Sequence, residues 1–266
     1  MSGLKIHYRA AGSGDPLVLL HGGFGFDSRS WGPQFDALDD EFNVVAWDAP
    51  GCGQSDDPPE SFCIEDYADS LAEFVRALGL TRPHILGLSF GGALALALYE
   101  RHPSLPQSLI LAGAYAGWAG SLPADEVQRR VQLISEEVTQ PPDDWLPKYL
   151  PGMLTESAPP EMAEQTLALM SGIHPRASLT MLSAMANADL RGILPNIGVP
   201  TLVLHGELDA RSPLAVGKAL HAKIPASQLV VLPGGGHLSN IEAADAFNFE
   251  VKTFLRSLSS PVAYRY

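Results

Sequence analysis

Six short apolar runs, at residues 17–20, 43–47, 84–88, 109–112, 201–204 and 229–232, alternate along this chain with stretches of helical periodicity. Turn-forming Gly, Pro or Asp bounds the runs, and within them the apolar residues are nearly continuous rather than alternating. Strands of that kind are buried on both faces, so the pattern predicts an α/β protein with a mostly parallel sheet flanked by helices. Residues 4–9 behave differently: Leu4, Ile6 and Tyr8 fall on one face and Lys5, His7 and Arg9 on the other, as in an antiparallel edge strand. Tyr67, Ala68, Leu71, Val75 and Leu78 recur at helical spacing behind Glu65 and Asp66, and Gly79 ends that helix. Residues 90–101 are apolar nearly all round, with Gly91, Gly92 and Ala93 small enough for a close approach to the sheet. A closing helix is expected over 243–258. Residues 118–188 break the rhythm, being helical in pattern and without a convincing strand. They are expected to form an inserted helical cap on a core made of residues 1–117 and 189–266.

Gly87-Leu88-Ser89-Phe90-Gly91 stands where an apolar run ends and a helix of small residues begins. A G-x-S-x-G pattern gains chemical meaning from that setting. A nucleophile there occupies a sharp, strained turn that lifts its side chain clear, and glycines two positions either side permit the crossing. The helix start also offers free amide groups to an anion. The bland alternative is a serine that merely caps a helix. A serine hydroxyl needs a base within about 3 Å, and that base needs an orienting carboxylate. Among eight histidines, His237 has the best setting, in the Gly-rich PGGGHLSN loop past a strand, at the carboxyl edge where open α/β sheets place their sites. His21 and His205 also follow strands, but each precedes a glycine and reads as loop-shaping. His7, His84, His102, His174 and His221 read as structural or surface residues. For the acid, HGELD supplies Glu207 and Asp209. The order serine, acid, histidine is the one this elbow architecture uses.

LLHGGFG, WDAPGCGQS, GLSFGG, LHGELD and GGGHLSNIE, taken together and in this order, resemble the α/β-hydrolase superfamily over nearly the whole chain except the cap. The resemblance implies Ser89 as nucleophile, His237 as base and Asp209 as acid, with Glu207 the weaker acid candidate. It also implies an oxyanion hole made by the backbone amides of Phe90 and Gly23, with Phe24 as the alternative second donor. Members usually carry two antiparallel strands before LLHG, whereas only one is available here, so the expected sheet is one strand short of eight. Asp48, which also ends a strand, is read as a loop-ordering acceptor, and Cys52 as a packing residue.

Composition narrows the function further. Lys plus Arg number 17 against 30 Asp plus Glu, a formal charge of −13 that disfavours nucleic acid and other polyphosphates. Cys52 and Cys63, the only cysteines, fit free thiols in a reducing compartment. The N-terminal residues have no apolar leader, and the longest continuous apolar stretch, 93–99, is far short of the roughly 20 residues a spanning helix needs. A cytoplasmic location is the resulting expectation. No zinc, P-loop or dinucleotide pattern is present, so no cofactor is expected. The leading reading is a serine hydrolase cleaving a small, largely apolar carboxylic ester or lactone, and HLSNIEAADAFN resembles the tail of enol-lactonase-like members. Carbon–carbon bond hydrolases, proline iminopeptidase-like peptidases and cofactor-free perhydrolases share the triad, and a hydrolase-like ligand receptor is the alternative from another class. Phe24, Phe26, Tyr115 and Trp118 lie just past expected strand ends. With Leu238 beside His237, they are the candidate pocket residues, and Trp145, Met153, Met170 and Met185 are apolar cap candidates.

Overall fold

The computed structural model describes residues 3–259. Seven strands, β1 (Tyr8–Ala11), β2 (Asp15–Leu20), β3 (Phe42–Trp47), β4 (His84–Leu88), β5 (Ser108–Ala112), β6 (Thr201–Gly206) and β7 (Gln228–Leu232), form one sheet in the order β1-β3-β2-β4-β5-β6-β7. All neighbours run parallel except β1 and β3. Among the described residues the sheet is thus one strand short of eight, as expected. Six of its strands coincide with the apolar runs to within two residues.

The edge strand differs from its expected extent. It starts at Tyr8, not Leu4, because the backbone of Lys5 and His7 is engaged elsewhere. Asp56 N donates to Lys5 O at 3.0 Å, Asp48 N to His7 O at 2.8 Å, and His7 N to the Ser55 hydroxyl at 2.9 Å. The chain therefore hooks onto the loop after β3 before it joins the sheet. Burial on both faces holds for β2 to β6, while β1 and β7, the two edges, remain partly exposed.

Helices α1 (Gly32–Leu38), α2 (Ile64–Ala77) and α3 (Phe90–Arg101) lie between successive strands up to β5. Between β5 and β6 the chain makes four helices, α4 (Ala124–Glu137), α5 (Pro142–Tyr149), α6 (Pro160–Met170) and α7 (Pro175–Asn187). Three of the four begin on proline, whose fixed φ suits the first helical position and whose missing N–H has no partner to lose there. The last elements are α8 (Leu214–Lys223), α9 (Ser239–Glu242) and α10 (Ala244–Ser259). Among the described residues no helix is long and apolar enough to cross a membrane.

The β4–α3 crossing depends on the absence of side chains. A Cβ on Gly87 would collide with the Gly91 carbonyl, and one on Gly91 with the Leu20 carbonyl of β2. Neither obstacle is the movable end of a side chain, so the backbone would have to part. Gly91→Ala is expected to cost about 3 kcal/mol, at the upper end of overpacking effects. Thermal melts should show Tm lower by several degrees, and an unchanged Tm would mean that the crossing has slack.

Candidate active site

Order within the sheet decides where the functional loops meet. From β2 the chain passes to β3 on one side, then returns to β4 on the other, so the carboxyl ends of β2 and β4 border a topological switch point. The His21-Gly22-Gly23 turn leaves β2 there and Ser89 leaves β4. A Cβ on Gly22 would stand 3.9 Å from Ser89 Cβ, and one on Gly23 would stand 3.5 Å from Phe90 Cβ. The turn and the elbow are in contact.

Ser89 holds φ +54° and ψ −110°, a conformation that costs a non-glycine residue on the order of 1–3 kcal/mol. Surrounding bonds enforce it: Ser89 N donates to Ala112 O at 2.9 Å, and Ser89 O accepts from Gly92 N at 3.0 Å. Although Ser89 is the N-cap residue of α3, its hydroxyl makes no capping hydrogen bond. The helix-cap alternative for this serine is therefore removed. Phe90, as the first residue of α3, has an N–H with no partner inside the helix.

Across β5 and β6, Asp209 and His237 come together from loops 28 residues apart. His237 Nδ1 lies 2.9 Å from Asp209 Oδ2 and 3.0 Å from Oδ1. A carboxylate can only accept, so Nδ1 carries the proton and Nε2 is left as the basic nitrogen. Asp209 is itself fixed, its Oδ1 accepting from Arg211 N at 2.9 Å and Ser212 N at 2.7 Å. Glu207 takes no part: its carboxylate accepts from Gly234 N at 3.0 Å, on the outer side of the loop.

Other histidines near the strand ends shape loops. His21 is buried, and Ala49 N donates to its Nε2 at 3.0 Å, so Nδ1 is the protonated nitrogen and donates to Gly22 O at 2.6 Å. His205 is buried too, its Nε2 donating to Ser212 O at 2.6 Å. Burial lowers the pKa of both rings, which keeps them neutral. Asp48 accepts from Ser28 N at 2.8 Å and Gln54 N at 3.0 Å, an acceptor for loop amides rather than a partner of Ser89. Cys52 is buried, and desolvation raises its thiol pKa far above the ordinary range. Among the described residues no cluster of three or more His, Cys, Asp or Glu is gathered as a metal site would require.

Ser89 and His237 line one narrow cavity, whose atom-free space including the mouth is about 480 Å³. Gly23, Phe24, Phe26, Tyr115, Trp118 and Leu238 border it, while the Phe90 side chain is buried in the core below. Of the apolar candidates from 118–188, Met153 reaches the cavity; Trp145, Met170 and Met185 are buried in packing instead. Four lining residues have no counterpart in the sequence reading: Ile134, Tyr149, Arg130 and Arg211. Arg211 stands two residues past Asp209, a proximity that sequence alone makes visible. Arg130 sits on α4, where periodicity defines a face but not what the face meets.

Similarities to known proteins agree with this architecture. A model of the alpha/beta hydrolase family matches residues 17–250. A protein named "Putative carbamate hydrolase RutD" from Yersinia enterocolitica is 28% identical over 263 residues, covering 94% of this chain and 92% of its own. The structure of a thermophilic esterase from Thermogutta terrifontis, malate bound, superposes with a TM-score of 0.89 at 29% identity, over 97% of this chain and 95% of that one. The enol-lactonase from Burkholderia xenovorans LB400 gives a TM-score of 0.80 at 27% identity, over 96% and 97% of the two chains.

Proposed function

From a chain that belongs to the alpha/beta hydrolase family, we propose a serine hydrolase that cleaves a small carboxylic ester or lactone through an acyl-enzyme on Ser89. The observation that carries this reading is the strained Ser89, its hydroxyl unused as a cap, in one cavity with a histidine whose far nitrogen is tied to Asp209. In the proposed reaction His237 Nε2 takes the serine proton as Oγ attacks the carbonyl carbon. The carbonyl oxygen becomes an oxyanion held by the amides of Phe90 and Gly23, or Phe24 in place of Gly23. Two such donors are worth several kcal/mol of barrier, at about 3 kcal/mol each. His237 then returns the proton to the leaving alkoxide, and water repeats the sequence on the acyl-enzyme.

Residues 118–188 serve as a cap in this reading, because Ile134, Tyr149 and Met153 bring apolar surface over the site. Aromatic and aliphatic walls favour a largely apolar substrate body, at about 25 cal/mol per Å² removed from water. Carbamate cleavage is the second reading, favoured by the name of the Yersinia relative. It would use the same attack on a carbonyl bearing nitrogen.

Purified protein should turn over activated esters or lactones many times, and more efficiently than matched carbamates. Faster carbamate turnover would transfer the assignment, and single-turnover behaviour would favour a ligand receptor. Trp118, buried and with its ring 5.5 Å below the Arg130 guanidinium, borders the space the acyl group would fill. Trp118→Ala is expected to change the ranking of acyl chain lengths by about tenfold in relative kcat/KM, the scale of one or two methylenes. Identical rankings in both proteins would place the acyl group elsewhere.

A further inference from the structure

The chain carries a net charge of −13, yet two arginines border the cavity that holds Ser89. Arg130 comes from α4 and Arg211 from the loop after β6, and they meet through shared partners. Arg130 donates to the Tyr115 hydroxyl at 3.1 Å and to Arg211 O at 3.2 Å, and the Tyr115 hydroxyl also donates to Arg211 O. The Arg211 guanidinium lies 3.6 Å from the centre of the Tyr149 ring and donates to Tyr149 O at 2.8 Å.

Their charges are incompletely answered. Glu126 accepts from Arg130 at 2.6 Å, but the same carboxylate holds Arg129 through two bonds at 2.7 and 2.8 Å, so one negative charge faces two positive ones. Among the described residues no carboxylate lies within 4.0 Å of the Arg211 guanidinium. Glu137 interacts electrostatically with Arg211 but is not among the residues that line the cavity. A guanidinium offers five donors in a planar fork suited to a carboxylate, and Arg211 commits one of them to Tyr149 O.

We propose that Arg211, supported by Arg130, binds a carboxylate carried by the substrate itself, so that the preferred substrate is a small ester or lactone with a free carboxylate at the end away from the scissile carbonyl. The proposal rests on the ester or lactone reading and names the polar end of an otherwise apolar molecule. Among the described residues no carboxylate lines the cavity, so an uncharged substrate would leave the cavity side of the arginine fork without an anionic partner, whereas a substrate carboxylate supplies charge-assisted bonds there.

Matched alkyl esters test it: monoethyl glutarate against ethyl pentanoate, and the butyrate ester of glycolic acid against ethyl butyrate, which place the carboxylate on the acyl or the alcohol side. Wild type is expected to favour the anionic member of at least one pair by roughly ten- to a hundredfold in kcat/KM, the scale of a charged hydrogen bond. That ratio should collapse in Arg211→Met and recover in part in Arg211→Lys. An equal loss on both members of a pair would assign Arg211 to packing and overturn the proposal, as would a wild-type preference for the neutral esters. Calorimetry of glutarate with Ser89→Ala separates the two levels. Binding without turnover of any ester would sink the hydrolytic reading and keep the anion site; turnover of neutral esters without glutarate binding would do the reverse.

Discussion

Replacing Ser89 by alanine is expected to lower kcat by roughly 10⁴-fold or more, about 5.5 kcal/mol of barrier, with the fold intact. The size follows from what is lost. No other hydroxyl is placed by the elbow, and Cys52 is buried, its thiol held protonated by desolvation. The fold survives because the backbone bonds that set the turn, Ser89 N to Ala112 O and Gly92 N to Ser89 O, do not involve the side chain. Alanine at φ +54° is no more strained than serine there, so Tm should change little. Intact-protein mass spectrometry with a serine-directed phosphonate gives the second measurement: wild type gains one adduct on Ser89 and the variant gains none. Undiminished turnover in Ser89→Ala, or an adduct on another residue, would remove the nucleophile assignment.

Asp209→Asn should be almost as damaging, at about 10⁴-fold, the scale found for the same change in a serine protease triad. The local bonds say how. Asp209 Oδ1 accepts from Arg211 N and Ser212 N, and an asparagine oxygen retains both bonds. Its amide NH₂ then takes the place of Oδ2, 2.9 Å from His237 Nδ1. Nδ1 must now accept, the ring proton moves to Nε2, and the nitrogen that should take the serine proton already carries one. Stability should change modestly, since the loop bonds persist, whereas Glu207→Gln, which touches Gly234 N on the outer side, should stay within a few-fold of wild type. A steady-state comparison of the two variants is decisive: a severe Glu207 phenotype beside a mild Asp209 one would reassign the acid.

Most of the fold could be read along the chain because the relevant physics is local. Continuous apolar runs mark doubly covered strands, and the expected positions of β2 to β7 hold to within two residues. The error at β1 has a long-range cause. Leu4, Ile6 and Tyr8 alternate as a strand should, but bonds from Lys5 and His7 to residues 48–56 occupy the backbone first. No periodicity within residues 4–9 reports that competition.

Five consecutive residues suffice to specify the elbow, since only glycine at 87 and 91 lets β4, α3 and β2 cross so closely. The sequence also determined that Ser89, an acid and His237 would lie at the carboxyl ends of parallel strands, because strand order along the chain and the rule for open sheets suffice. Tertiary structure decided the rest. HGELD offers both Glu207 and Asp209, with Asp209 preferred only through the family resemblance, and it is the fold that turns Asp209 toward a histidine 28 residues away. Arg130 and Arg211, 81 residues apart, share a cavity wall because α4 lies over the β6 loop. Local propensity sets which face a helix buries, but the neighbour on that face is set by packing across the whole molecule, and there the charge of the site was established.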